Sequence, residues 1–336
     1  MLTTLIQKRT IKTAVLTAAV ISFLGHPHLV HTTYAQNLSN EDVSSSEIVS
    51  IRLSDEDWNA VARVAEKVIR ANGLDENTWR IVVSNKYDDN AYATDANLVV
   101  IFSGLLEKIR GDDAALAFVI GHELGHHIKR HIAVGASSQE EIKAKLTAEA
   151  DAEITKLLAE EREKYNNARN AATGINILCG LTRVCNNRPG NLAAMGVLLL
   201  ANDGRPDPQK VEQKKQEIIA KKQQEHLAKT RELNHRQEFE ADELGYKYMA
   251  KAGYDVKGGF RVMNILGRFP GAETVNDTHP RISDRVEALN SLMVKYPSQS
   301  LAAEGTAKLR SSKRLTFDIS KDNNSSLLIN SRFSSK

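Results

Sequence analysis

Cysteine and aromatic residues are scarce in this chain, and long apolar runs are missing. Only two cysteines occur in 336 residues, Cys179 and Cys185. In an oxidising compartment they could close one small loop; the alternative is a pair of buried thiols. No cysteine lies in the first 35 residues, which excludes a lipid anchor on cysteine there. Aromatics make up 5% and charged residues 26%, a balance expected of a helix-rich, soluble body. The formal net charge is +3, and Lys8, Arg9 and Lys12, with no acid among residues 1–35, account for all of it. The remainder is near neutral, which argues against a basic footprint for nucleic acid. The two longest apolar runs, residues 13–24 and 193–201, are too short to cross a bilayer.

The first 35 residues have the form of a secretory signal. A basic start leads into the apolar run, and Thr33-Tyr34-Ala35 approximates a small-residue cleavage site. This implies an exported protein, periplasmic or extracellular, with His26, His28 and His31 removed on cleavage. A signal kept as a membrane anchor is the alternative.

Residues 121–127 read Gly-His-Glu-Leu-Gly-His-His and contain a His-Glu-x-x-His motif: His122, Glu123 and His126. Positions i and i+4 share one helical face, so both imidazoles can address one metal ion. Glu123 follows the first ligand and can act as general base, the arrangement of zinc metallopeptidases. Residues 112–132 suit one long helix, with Asp112 as N-cap and an apolar stripe at Leu116, Val119, Ile120 and Leu124. His127 and His131 fall off the ligand face and are expected to be ordinary surface groups.

Before this helix, residues 54–73 read as a capped amphipathic helix, and residues 79–85 and 98–102 as strands. Val99, Val100 and Ile101 are candidates for an edge strand that holds an extended peptide by main-chain hydrogen bonds, or for a plain core strand. Residues 139–168 and 209–237 are charged and helical in composition and can pair as an antiparallel arm. The less polar residues 171–201 form the tip, a packed end or a patch meeting membrane or client. Residues 301–336, rich in Ser, Lys and Asn, read as a mostly disordered tail interrupted by two short strand-like pieces, residues 315–319 and 327–329.

A catalytic zinc takes three protein ligands, so a third must come from elsewhere. In the run from Glu238 to Gly245, Glu238 and Asp242 lie four apart on one face, while Glu240 points elsewhere. A buried carboxylate beside a dication is compensated by the metal charge, and Asp242 could hold the free nitrogen of a ligand histidine.

At these residues the chain resembles the HtpX-like and CAAX-protease-like zinc metallopeptidases of family 48. That family carries His-Glu-x-x-His on one helix and Glu-x-x-x-Asp on a later one. Here they match His122, Glu123, His126, Glu238 and Asp242. Thr278-His279-Pro280 followed by Arg285 matches a further family element, and residues 90–93 resemble the family's lead-in to the strand. The resemblance implies a gluzincin: an α+β, mostly α-helical domain with a small sheet before the active-site helix and a long helical insertion. Residues 36–137 and 235–298 would form the peptidase domain, and residues 138–234 the insertion. It implies one zinc held by His122, His126 and Glu238, with Glu123 as catalytic base. It also places His279 near the metal, as oxyanion partner or gate, unless it is a structural loop histidine. Arg285 would bind a carboxylate nearby or lie on a helix surface. The expected activity is endopeptidase cleavage of extended or misfolded proteins in envelope quality control. Expected partners are polypeptide substrates and envelope assembly machinery or a membrane surface. A client-binding protein with a structural zinc is the alternative.

Overall fold

The computed structural model of the chain describes residues 53–84, 91–94, 97–182, 207–320 and 326–334, and of 172–182 the backbone alone. The signal-like residues 1–35, the apolar tip and the Cys179–Cys185 pairing lie outside the described side chains.

The element order is α1 (Asp55–Ala71), β1 (Trp79–Ser84), β2 (Ala91–Ala93), β3 (Leu98–Phe102), α2 (Ser103–Lys108), α3 (Asp113–Ile128), α4 (His131–Thr182), α5 (Pro208–Lys251), α6 (Lys257–Leu266), α7 (Ile282–Lys295), α8 (Ser298–Ser311), β4 (Phe317–Ser320) and β5 (Ser326–Ile329). Helix predominates beside one small mixed sheet, the expected α+β class. Local chemistry sets the helix starts. The Ser54 hydroxyl accepts from the Asp57 amide while the Asp57 carboxylate accepts from the Ser54 amide, a capping box for α1. Asp112 accepts from the Ala115 amide at the start of α3, where it suits the helix dipole.

The central helix α3 is apolar all round, and every residue from Ala114 to Gly125 is buried. It packs against α5, α6, α1 and the sheet. The main core joins Trp58, Ile69, Trp79, Ile101, Phe118, Ile120, Tyr246 and Met263. The helix is shorter than residues 112–132. It stops at Ile128, and Arg130 takes a left-handed φ of 53° before α4 begins.

The sheet order is β2-β3-β1-β5-β4. β3 pairs parallel with β1 and antiparallel with β2, so it is an inner strand rather than an edge. Val99, Val100 and Ile101 are accordingly buried, at 1%, 1% and 0% exposure, and cannot take up a peptide. The expectation of a mostly disordered tail is also overturned, while its two strand-like pieces coincide with β4 and β5. Residues 298–311 form α8, and β5 pairs with β1 while placing Leu327 and Ile329 fully inside the core. Two buried side chains of that size outweigh the polar composition of their neighbours.

The charged segments form a long antiparallel pair. Lys222 on α5 meets Glu149 at 2.7 Å and Glu153 at 3.3 Å on α4, and Lys214 meets Glu161 further out. A boundary at residue 234 does not exist structurally: α5 runs unbroken from the arm into the core. It ends in a Schellman turn, in which Gly253 at φ 73° donates to the Ala250 carbonyl and Tyr254 to the Met249 carbonyl.

Candidate metal centre

Two helices supply the site, and small residues let them approach. A Cβ on Gly245 of α5 would stand 3.1 Å from the His122 amide nitrogen and 3.2 Å from the Phe118 carbonyl oxygen. Gly121 faces Gly245 in return, and Gly125 faces Ala241 and Leu244. Bringing in a methyl group here must push α5 away from α3. Gly245→Ala is expected to cost about 1–3 kcal/mol by overpacking and to weaken zinc binding in the same variant. Thermal unfolding and chelator competition would check this; unchanged zinc affinity would mean the helix spacing does not set the site.

Across this contact His122, His126 and Glu238 converge. The two Nε2 atoms are 3.1 Å apart, His126 Nε2 is 3.3 Å from Glu238 Oε1, and His122 Nε2 is 3.8 Å from Glu238 Oε2. Ligands about 2.0–2.1 Å from a tetrahedral zinc lie roughly 3.3–3.4 Å from one another, so the triangle has the right size. The charge balance also fits. Glu123, Glu238 and Asp242 are buried carboxylates against one buried guanidinium, Arg285, a deficit that a dication makes good.

The supporting residues explain how each group is held. Asp242 is fully buried and sits 2.9 Å from His122 Nδ1, so that nitrogen carries the proton and Nε2 presents a lone pair inward. Arg285 grips Asp242 through two hydrogen bonds, Nε–Oδ2 at 2.7 Å and Nη2–Oδ1 at 2.6 Å, and reaches Glu238 at 3.5 Å. Burial would raise the Asp242 pKa, but Arg285 and His122 outweigh it and hold the group below the usual carboxylate value. Glu238 is lowered further: burial opposes ionisation, but His279, His126 and Arg285 overcome it. Glu123 behaves oppositely. Its 5% exposure drives its pKa up, against the pull of His122 and His126. A carboxylate placed near cations but reluctant to ionise is suited to carrying a proton back and forth.

His279 lies on the loop before α7, half exposed, with Nε2 3.9 Å from Glu238 Oε1. The Asn276 side chain shapes this loop by accepting from the amides of Thr278 and His279. Arg231 and Asn234 of α5 tie the loop down through Asp277.

Two residues stand closer to this centre than sequence reasoning placed them. His131 is buried at 5% exposure, with Nδ1 3.0 Å from His126 Nδ1 and Nε2 3.2 Å from Glu240 Oε2. Helical periodicity put both residues off the ligand face. The left-handed turn at Arg130, invisible to periodicity, swings His131 back. His127 by contrast stays outside the triangle, facing the Thr94 carbonyl and the edge of Trp79.

Among curated relatives, the mitochondrial metalloendopeptidase OMA1 of Arabidopsis thaliana is 36% identical over 83 residues, 24% of this chain and 17% of the relative. OMA1 of Schizosaccharomyces pombe is 33% identical over 73 residues, 22% of this chain and 21% of the relative. The Bos taurus protein is 35% identical over 82 residues, 23% of this chain and 16% of the relative. The shared stretch thus spans about a fifth or less of each relative. These three proteins are named as mitochondrial, which overturns the expectation of an exported, periplasmic chain. No helix among the described residues is long and apolar enough to cross a membrane. No solved structure matches the chain. The model for peptidase family M48 matches residues 56–293, a span holding both ligand helices and the His279 loop, and the chain belongs to that family of zinc metallopeptidases.

Proposed function

We propose that this chain is an endopeptidase that hydrolyses peptide bonds within extended or unfolded polypeptides. The observation that carries the reading is the buried Glu123 set beside the His122, His126 and Glu238 triangle. Zinc bound there supplies Lewis acidity, polarising a peptide carbonyl and acidifying water. Glu123 takes a proton from the attacking water and delivers it to the departing amine. Asp242 and Arg285 keep His122 oriented throughout. His279, whose Nε2 lies 3.9 Å from Glu238 Oε1, supports a reading in which it donates a hydrogen bond to the oxygen on which negative charge develops.

The substrate class follows from access. His122 and Glu123 are 9% and 5% exposed, so only a segment free of its own tertiary structure reaches them. The relatives' name, metalloendopeptidase, supports cleavage inside a chain rather than at its end.

The test is digestion of an unfolded protein by the zinc-loaded chain, with the fragment termini identified. Internal cuts that stop on chelation and resume with added zinc are expected. A zinc-loaded chain that leaves unfolded protein intact would sink the proposal, and release of terminal residues alone would rule out endopeptidase action.

A further inference from the structure

The two ligand histidines are supported in different ways. His122 leans directly on the fully buried carboxylate of Asp242. Among the described residues no carboxylate stands against His126 Nδ1; the Nδ1 of another imidazole, His131, lies there at 3.0 Å. The proton positions follow from this contact. For His126 to offer an Nε2 lone pair to a metal, its Nδ1 must carry hydrogen. That hydrogen points at His131 Nδ1, which must then accept it. A neutral His131 accepting at Nδ1 carries its own hydrogen at Nε2, and Glu240 Oε2 lies 3.2 Å from that atom.

The backbone is built to hold this arrangement. On an unbroken helix residues five apart diverge by about 140°, so His131 could not face His126. The left-handed Arg130 removes the conflict, and Gln237 of α5 donates to the His131 carbonyl at 3.2 Å. The His126 and His131 rings meet edge to face, with centroids 5.0 Å apart. The Glu240 side chain is 43% exposed, so the chain of contacts runs from the metal ligands to solvent.

We infer that His131 and Glu240 are positioning residues for the zinc ligand His126, forming a His126–His131–Glu240 relay that fixes its tautomer and ring orientation. The inference rests on the metallopeptidase reading, since it concerns the same site. A support of this kind typically changes metal affinity by about 10- to 100-fold when removed. His131 is not one of the three converging ligands and meets His126 on the side away from them, so it acts through His126.

The experiment measures zinc affinity by competition with a chromophoric chelator, and the visible spectrum after cobalt(II) substitution, in the full chain. His131→Leu is expected to weaken zinc by about 10- to 100-fold and to shift the cobalt bands. His131→Asn keeps an amide oxygen in reach of His126 Nδ1 and is expected to recover most of the loss, which a purely space-filling role would not produce. Glu240→Ala alters a half-exposed side chain and is expected to weaken zinc by about tenfold, the lower limit for such supports. If His131→Leu does not fold, Glu240→Ala decides, and unchanged affinity there overturns the inference. So does an Asn variant as weak as Leu, or an unaltered cobalt spectrum in every variant. Wild-type protein that takes up no zinc overturns the metallopeptidase reading as well, a result distinct from zinc held equally by all variants.

Discussion

Glu123→Gln is expected to abolish peptide hydrolysis, lowering kcat by about 10²–10⁴-fold, the usual contribution of a positioned acid–base group. The amide is nearly isosteric with the carboxyl and removes only the proton acceptor. Zinc content is therefore expected to stay at the wild-type level, because Glu123 is not one of the three converging ligands. Stability should be equal or slightly higher, since burial already disfavours the Glu123 charge. Fragment release from an unfolded protein and zinc per chain, measured on the same preparation, check both halves. A Gln variant that still cuts at the wild-type rate removes Glu123 from the mechanism. One that loses zinc as well would show that the carboxylate holds the metal site together rather than handling protons.

Arg285→Met is expected to destabilise the fold by about 3–5 kcal/mol, the cost of leaving a buried charge without its partner. Asp242 has no exposure to solvent, and its two oxygens receive two hydrogen bonds from the guanidinium. Lysine is not an adequate substitute, since a single ammonium cannot reproduce the bidentate fork. The double variant Asp242→Leu, Arg285→Met removes both charges and should regain much of the stability. It should not regain zinc affinity, because His122 Nδ1 then has no acceptor. Denaturant midpoints and chelator competition separate the two effects. If Arg285→Met unfolds at the wild-type midpoint, the ion pair is not what holds α5, the helix of the third ligand Glu238, in place.

What a few neighbouring residues enforce was legible. Spacing by four puts His122 with His126, and Glu238 with Asp242, on common helical faces, and Asp112 and Ser54 cap their helices through contacts three residues long. The charged arm declared itself through composition and periodicity, and the Lys222 contacts with Glu149 and Glu153 match that pattern. Polar composition, however, hid how much of the tail is ordered: residues 315–319 and 327–329 read as short strand-like pieces, but α8 did not show. Residues 327–329 are a run of only three apolar residues, and the burial of Leu327 and Ile329 depends on pairing with β1, which is more than 200 positions away in the chain. Strand order is equally non-local: β3 reads alike as an edge or an inner strand until β2 pairs with its other side.

The sequence by itself determined the metal chemistry of each helix, the caps and the family, because these depend on residue type and short spacing. Tertiary structure alone decided that the two motifs meet. The His122 and Asp242 side chains are 120 residues apart along the chain, and only the close approach of α3 and α5 at Gly121 and Gly245 brings them within 2.9 Å. It also decided that His131 belongs beside the metal ligands. A single left-handed residue, Arg130, breaks the helical register there and turns an apparently exposed histidine inward. Periodicity assumes unbroken backbone geometry, so it could not foresee that turn.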